Sequence, residues 1–479
     1  MNRFRALTVG TLIALGGCNM APAYVRPAPP VPATLPQGES YPVLPQADGA
    51  IDAIDAIGWN TFFTDARLRK VIADALANNR DLRASIANVA VARAQYRGTH
   101  AAELPTITAV PSASRYRGSV SSSGYVSGGG GNSPTTSEAY GIAGGIASFE
   151  LDLWSRKRNL TRAAFETWLA SAEGNKAATI ALVAEVANAW LTIGADSDAL
   201  AIARETLASR EATLAVSRQR EAQGIGTGLE TVQADTLVQS ARADVAAYVT
   251  DLAQARNALQ LLVGTTVSSD NLPTGLGRED AVLASLPVGL DSAVLLRRPD
   301  VLAAEHQLRA ANANIGAARA AFFPQINLTT LAGLASGSLS GLFDSGGTFR
   351  YGLAASATQT LFDGGALASS LKAARASREA AVATYEKAVQ NAFADVANAL
   401  ARRGTIDEQL AAQRAYVASA DKAATITRSR YDTGVDTYLA ALDAARTAYT
   451  ARQALVGVRL ARATNMVTLY EVLGGGLKE

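Results

Sequence analysis

Arg430-Tyr431-Asp432-Thr433-Gly434-Val435-Asp436-Thr437 closes a long proline-free run that begins near Gly365, and a second helical run follows it. The same kind of turn stands 210 residues earlier, as Arg220-Glu221-Ala222-Gln223-Gly224-Ile225-Gly226-Thr227. In each copy a glycine, Gly224 or Gly434, is placed to end a helix in the left-handed conformation. Thr227-Gly228-Leu229-Glu230 reads as a capping box, and Asp436 or Thr437 supplies the oxygen that starts the later helix. Working outward, Glu185-Val-Ala-Asn-Ala-Trp190 returns as Asp395-Val-Ala-Asn-Ala-Leu400, again shifted by 210. Arg80-Asp81-Leu82 through Leu104-Pro105 returns as Pro299-Asp300-Val301 through Phe323-Pro324, shifted by 219. The first copy therefore carries extra residues between its strands. A unit this long is not a solenoid or propeller repeat. It predicts two halves related by pseudo-symmetry inside one protomer, an arrangement suited to a symmetric assembly.

Between helix and turn, each half reads the same way. Leu68, Val71, Ile72, Ala75 and Leu76 share one face of a helical pattern that runs from Asp65 to Pro105. Alternation follows at Ile107, Ala109 and Ala113 against Thr106, Thr108, Ser112 and Ser114, then a Ser/Gly-rich loop over 119–137, then alternation from Tyr140 to Leu151. In the second half Ile326 and Leu328 alternate with Asn327 and Thr329. Phe349, Tyr351, Leu353, Ala355 and Ala357 alternate with Arg350, Gly352, Ser356 and Thr358. Segments of about ten residues with one apolar and one small polar face fit membrane-spanning strands. Four strands cannot close a barrel, and an open edge in lipid strands backbone groups at several kcal/mol each. Two protomers would give eight strands and three would give twelve. The proline-free runs from Trp154 to Gln223 and from Gly365 to Thr433 are each long enough to reach roughly 100 Å as helices. Val382, Tyr385, Val389, Phe393, Val396 and Leu400 form one stripe and Ala381, Ala388, Ala392 and Ala399 another, so this helix expects neighbours on two sides.

The 479 residues carry a net charge of +2 and 6% aromatics, which gives no electrostatic basis for nucleic-acid binding. No later stretch offers the 18 uncharged apolar residues of a spanning helix. At the start, Asn2-Arg3-Phe4-Arg5, the apolar residues 6–14 and Leu15-Gly16-Gly17-Cys18 resemble the lipobox of bacterial lipoproteins, in which the cysteine is acylated after cleavage before it. Cys18 is the only cysteine, so it has no intramolecular disulfide partner. Eight prolines between Pro22 and Pro45 read as an extended tether up to Trp59-Asn-Thr-Phe-Phe-Thr-Asp65.

These residues, together with Phe149-Glu-Leu-Asp-Leu-Trp154, Arg298-Pro299-Asp300, Leu361-Phe-Asp-Gly-Gly365 and Leu439 to Ala444, resemble the TolC-like outer-membrane factors of tripartite efflux systems, in particular their lipoprotein branch. The resemblance covers nearly everything after the leader, and it rests on order and duplication rather than on one motif. It implies a trimer combining an all-α periplasmic barrel of twelve helices with a membrane β-barrel of twelve strands. It also implies a cell outer-membrane location with lipid anchorage at Cys18, a periplasmic adaptor and an inner-membrane pump of the resistance-nodulation-division type as partners, and passive conduction of small molecules. The tips Gly224, Ile225, Gly226, Thr227, Gly434, Val435 and Thr437 would dock the adaptor. Leu439 and Asp443, four residues apart on one helical face, would form an apolar and a carboxylate ring at the periplasmic gate. Arg430, Tyr431 and Asp436 would latch it to a neighbouring helix. Arg350 would point into the lumen.

The chain is then expected to comprise a signal peptide (1–17), anchor and tether (18–58), first-repeat helix (59–104), strand pair with surface loop (105–151), long helix, tip and return helix (152–264), an equatorial belt (265–295), second-repeat helix (296–323), strand pair (324–362), long helix, tip and return helix (363–473) and a tail (474–479). Heavy-metal efflux and type I protein secretion are alternative cargoes. Catalysis is not expected: the histidines, His100 and His306, stand apart, and no metal or cofactor motif occurs. Gly224-Ile-Gly-Thr-Gly228 lies between helices rather than after a strand, so it is not a phosphate loop. A coiled-coil structural lipoprotein would lack the strand pairs and capped returns.

Overall fold

The computed structural model of the chain describes residues 19–41, 57–118, 135–277, 283, 292–344 and 348–475. Among these residues eight α-helices and four strands follow in order: α1 (Trp59–Phe62), α2 (Ala66–Asn78), α3 (Arg80–Ala101), β1 (Ile107–Gly118), β2 (Thr135–Leu151), α4 (Arg156–Ala222), α5 (Gly228–Val263), α6 (Pro299–Ala320), β3 (Gln325–Ser336), β4 (Thr348–Thr358), α7 (Ala366–Asp432) and α8 (Tyr438–Val472). The chain divides into two compact units. One comprises Met1–Arg26, Val91–Leu169 and His306–Ala383; the other comprises Pro27–Ala90, Ala170–Glu305 and Thr384–Glu479.

The first unit holds one antiparallel sheet in the order β1-β2-β3-β4. Its central pair joins the two repeats, β2 to β3, and its edges are β1 and β4. Residues opposite one another share a face. The registers Ile107↔Ile146, Ile142↔Leu334, Leu334↔Phe349 and Ala332↔Tyr351 therefore assemble an apolar face across all four strands. The other face carries Ser112, Gly141, Gly333, Asn327 and Arg350. Ile107, Phe349, Tyr351 and Leu353 on the apolar face are largely exposed in the single chain. β2 is 17 residues long, longer than its alternation suggested: it begins at Thr135, inside the expected loop, where it pairs with the end of β1, and it carries a bulge against β3 between Ile146 and Phe149.

At the foot of the sheet both repeats use an aspartate to start their long helix. Asp152 accepts from the N–H groups of Lys157 and Arg158 at 3.0 and 2.9 Å, and Asp363 accepts from Gly365 and Leu367 at 2.8 and 2.7 Å. Trp154 donates to the Pro324 carbonyl at 3.0 Å and stacks on Phe323, so two of the sequence landmarks meet across the repeat. The two histidines also lie here. His306 Nδ1 is 2.7 Å from buried Glu166, and His100 stacks on Tyr96.

The second unit is helical. Its core gathers Trp190, Leu191 and Ile193 of α4, Leu68 and Ile72 of α2, Leu259 of α5 and Leu295, all fully buried. Phe62 stacks on Tyr470 at 4.1 Å, and Tyr470 donates to the Ile57 carbonyl at 2.9 Å, which ties the start of the folded body to the end of α8. In α4 one window is long and apolar enough to cross a membrane by composition, although no 18-residue stretch there is free of charge, and just over half of it is buried in the protein, as befits a core helix. In α7 both expected stripes are used: Tyr385, Val389, Val396 and Leu400 are buried, and so are Ala392 and Ala399.

The expected single helix over 59–104 is three helices. Asn79 leaves the helical conformation with ψ 133°, and its amide accepts from Leu82 N–H at 2.7 Å while donating to the Leu262 carbonyl at 2.7 Å. The second repeat solves the same problem with another residue, since Arg298 donates to the Val472 carbonyl at 3.0 Å, 210 residues after Leu262. Gly264 and Gly474 then turn the chain at φ 75° and 84°. A Cβ on Gly264 would lie 2.5 Å from the Asn78 carbonyl oxygen, so glycine is required there. In the belt expected at 265–295 the described residues form short 3-10 turns at Ser269–Asn271 and Ser292–Arg297, and Phe63 pairs with Leu283.

Candidate functional site: the two helix-tip turns

Each long helix stops for the same local reason. Ile225 N–H donates to the Arg220 carbonyl (3.0 Å) and Gly224 N–H to the Glu221 carbonyl (2.9 Å). In the second repeat Val435 donates to Arg430 (2.8 Å) and Gly434 to Tyr431 (2.9 Å). These are paired Schellman closures, and Gly224 and Gly434 adopt φ 76° and 78°. The return helices open on Thr227 and Thr437, whose hydroxyls accept from the N–H groups of Glu230 and Ala440, each at 3.3 Å. Of the two candidates in the second tip, Thr437 is the cap. The first tip is the tighter, because a Cβ on Gly226 would meet Arg220 at 3.0 Å.

Asp436 is occupied elsewhere. Arg430 Nε and Nη2 donate to its two oxygens at 2.5 and 3.2 Å, a bidentate clamp across the turn. The hydrogen bond from Arg430 holds the Asp436 carboxyl below its usual range, and the same bond raises Arg430. The sequence suggested partners on a neighbouring helix for both residues; here they close on each other. Tyr431 is the one that reaches other helices. It is buried with Leu214, Ala234, Val238, Tyr438 and Ala441, its ring lies 5.3 Å from that of Tyr438, and the Arg220 guanidinium sits 5.2 Å above it.

Leu439 and Asp443 face outward from the first turns of α8. Leu439 is 61% exposed. Asp443 accepts from Arg446 at 2.7 Å, so a ring built from it would carry arginines beside its carboxylates. The tips also display repeat-equivalent apolar residues that the fold does not consume: Ile225 and Val435, and Leu229 and Leu439. Leu229 escaped the sequence reading, although its shift of 210 from Leu439 was there to be found.

Two cross-links between the return helices were also missed. Tyr449 Oη donates to Asp244 at 3.0 Å, and Gln453 donates to Tyr248 Oη at 2.8 Å. Both pairs are 205 residues apart, which sets α5 and α8 side by side in near-repeat register. Further along, Asp407 accepts from Arg403 and Arg462. Burial pushes its carboxyl up, but the hydrogen bond from Arg462 and the charges of both arginines hold it below the usual range.

Cys18 lies outside the described residues. The chain immediately after it is firmly held within the first unit. Asn19 accepts from Asn159 at 3.0 Å, the Met20 carbonyl from Arg319 at 3.3 Å, and the Pro22 carbonyl from Asn312 at 2.8 Å, while Arg309 lies 5.0 Å over the Tyr24 ring. Gly316 makes room for this strap, since a Cβ there would be 2.7 Å from that of Ala21.

Comparison with known proteins places this geometry. The description "Outer membrane efflux protein" matches residues 71–265 and 290–475. Outer membrane protein OprJ of Pseudomonas aeruginosa is 40% identical, over 98% of this chain and 95% of its own length. The toluene efflux pump outer membrane protein TtgC of Pseudomonas putida is 41% identical over 98% and 95%. The open-state structure of the MtrE outer membrane channel of Neisseria gonorrhoeae superposes with a TM-score of 0.83 at 37% identity, over 96% of this chain and 99% of that one. The chain belongs to the outer membrane efflux protein family and is a TolC-like channel of the outer membrane.

Proposed function

We propose that three copies of the chain assemble into one passive conduit, closing a twelve-stranded barrel in the outer membrane and a twelve-helix barrel in the periplasm, through which an inner-membrane pump and a periplasmic adaptor discharge small organic molecules. The observation that carries the reading is the four-stranded sheet: among the described residues its two edges are unpaired, and one face is apolar across every strand. Such a sheet is stable in lipid only when other copies complete it. Arg350, on the small polar face, then points into the lumen. Acylated Cys18, next to the strapped residues Asn19 to Tyr24, anchors the protein to the membrane.

At the other end, the tips dock the adaptor through Gly224 to Thr227 and Gly434, Val435 and Thr437. Leu439 and Asp443 form the constriction, with Arg430, Tyr431 and Asp436 setting its shape. The toluene pump named for TtgC and the solvent pump named for SrpC favour organic cargo, and the pump in this reading is of the resistance-nodulation-division type. Energy comes from the pump. The adaptor opens the tips by binding the open arrangement more tightly. The chain itself performs no catalysis.

The test is single-channel conductance in planar bilayers. Leu439→Ala and Asp443→Ala are expected to raise open probability severalfold, and Asp443→Ala also to lower the preference for cations. Unchanged currents in both variants would remove the gate assignment while leaving the conduit in place.

A further inference from the structure

Inside the second unit, α4, α5, α7 and α8 line a half-open cavity of about 620 Å³, within the range that holds a drug-sized molecule. Three arginines line it, and they are not equivalent. Arg452 is engaged by Asp421 at 3.0 Å and by Glu205 at 3.5 Å, so the two carboxylates on the wall share one arginine. Arg428 is engaged by Asp432 at 3.2 Å and by the Thr213 hydroxyl at 3.1 Å. Arg210 has no carboxylate within ion-pair distance among the described residues. Its Nη1 donates to the Leu237 carbonyl at 3.0 Å, and its guanidinium lies 5.1 Å from the centre of the Tyr449 ring. Asp244, the acid whose charge it feels, is held by the Tyr449 hydroxyl. Burial accordingly pushes Arg210 below its ordinary value. A half-buried guanidinium that has lost water without gaining an anion carries an unrecovered desolvation cost. The wall beside it is apolar and flat: Tyr438, Tyr449, Leu237 and Leu442.

We propose that this cavity binds a small organic monoanion, a carboxylate or sulfonate on a flat apolar body, with its charged head on Arg210 and its body against Tyr438, Tyr449, Leu237 and Leu442. Arg210 recovers its missing counter-charge as a forked hydrogen bond. A cation on Glu205 or Asp421 would share that carboxylate with Arg452 and would leave Arg210 without a counter-charge. Since all four helices of the tip region contribute to the wall, occupancy ties α4 to α8. The site stands independently of the conduit reading.

The experiment is isothermal titration calorimetry on the detergent-purified full-length protein, using 2-naphthoate and its uncharged counterpart 2-naphthamide. Wild-type protein is expected to bind the naphthoate at least ten times more tightly than the amide. Arg210→Gln is expected to erase that preference and Arg210→Lys to restore most of it. Ala445→Trp, which keeps the charge and fills the cavity, is expected to weaken both probes. Equal affinity of the two probes for the wild type, or a full preference in Arg210→Gln, overturns the proposal. The wild-type comparison decides the matter on its own should Arg210→Gln fail to fold.

Discussion

Removing one hydroxyl, by Tyr449→Phe, is expected to loosen the two return helices from each other. The Tyr449 phenol donates to Asp244 at 3.0 Å, and the residue is 8% exposed. Burial, followed by the hydrogen bond and charge of Asp244, holds the phenol well above its usual range, so it remains a protonated donor at every working pH. A hydrogen bond to a charged acceptor contributes about 1.5–3 kcal/mol. Asp244 is half-buried and regains some water when the donor goes, which places the loss near the lower end, about 1.5 kcal/mol. The ring stays, so its packing under Arg210 persists, and the second rung from Gln453 to Tyr248 remains. If the rung exists only in the closed tip arrangement, about 1.4 kcal/mol raises the open-to-closed ratio roughly tenfold. Single-channel recording reads this directly as a rise in open probability at unchanged unit conductance. Unchanged open probability in Tyr449→Phe and also in Tyr449→Phe/Gln453→Ala would refute the reasoning.

Four further outcomes are expected. Thr227→Ala and Thr437→Ala each remove a helix cap at about 1 kcal/mol, and hydrogen exchange at Glu230 and Ala440 is expected to quicken roughly fivefold. Gly224→Ala and Gly434→Ala each cost about 1–2 kcal/mol through the left-handed backbone alone, since beyond the adjoining residues no described atom lies within 4 Å of either Cβ position; differential scanning calorimetry checks both. Gly316→Val is expected to expel the strap and speed chymotrypsin cleavage after Tyr24 severalfold. Burial first, with the charges of Glu185 and Asp395 against that of Arg298, raises the Glu471 carboxyl. A raised folded-state value means that Glu471 is least costly below the unfolded value near 4.3 and becomes destabilising as pH rises through the folded one. Glu471→Gln is therefore expected to raise Tm at pH 7.5, with the gain vanishing below about pH 4.

The duplication made the helices, the strands and both turns legible, because a glycine that must adopt a left-handed conformation and a threonine that caps leave the same mark twice. Gly434 as turn followed from local chemistry alone, which left the cap between Asp436 and Thr437. Asn79 did not: its break depends on the Leu262 carbonyl, 183 residues away, and the second repeat achieves it with Arg298 instead. The partners of Arg430 and Asp443 were likewise invisible to periodicity. Whether Asp436 caps a helix or clamps Arg430 is decided by which donor the turn brings within reach, and Arg446 finds Asp443 by a one-turn spacing that many surface pairs share. The start of β2 was lost in a Ser/Gly-rich stretch with no apolar alternation to mark it.

The central claim is that the open-edged sheet is completed by two further copies of the same chain. Single-particle imaging of the protein extracted in mild detergent tests it most directly. The account predicts a three-fold particle whose membrane part is a closed barrel of twelve strands, with β1 of one copy paired to β4 of the next. A particle with two-fold symmetry and eight strands, or a stable monomer with a free sheet edge, would contradict it.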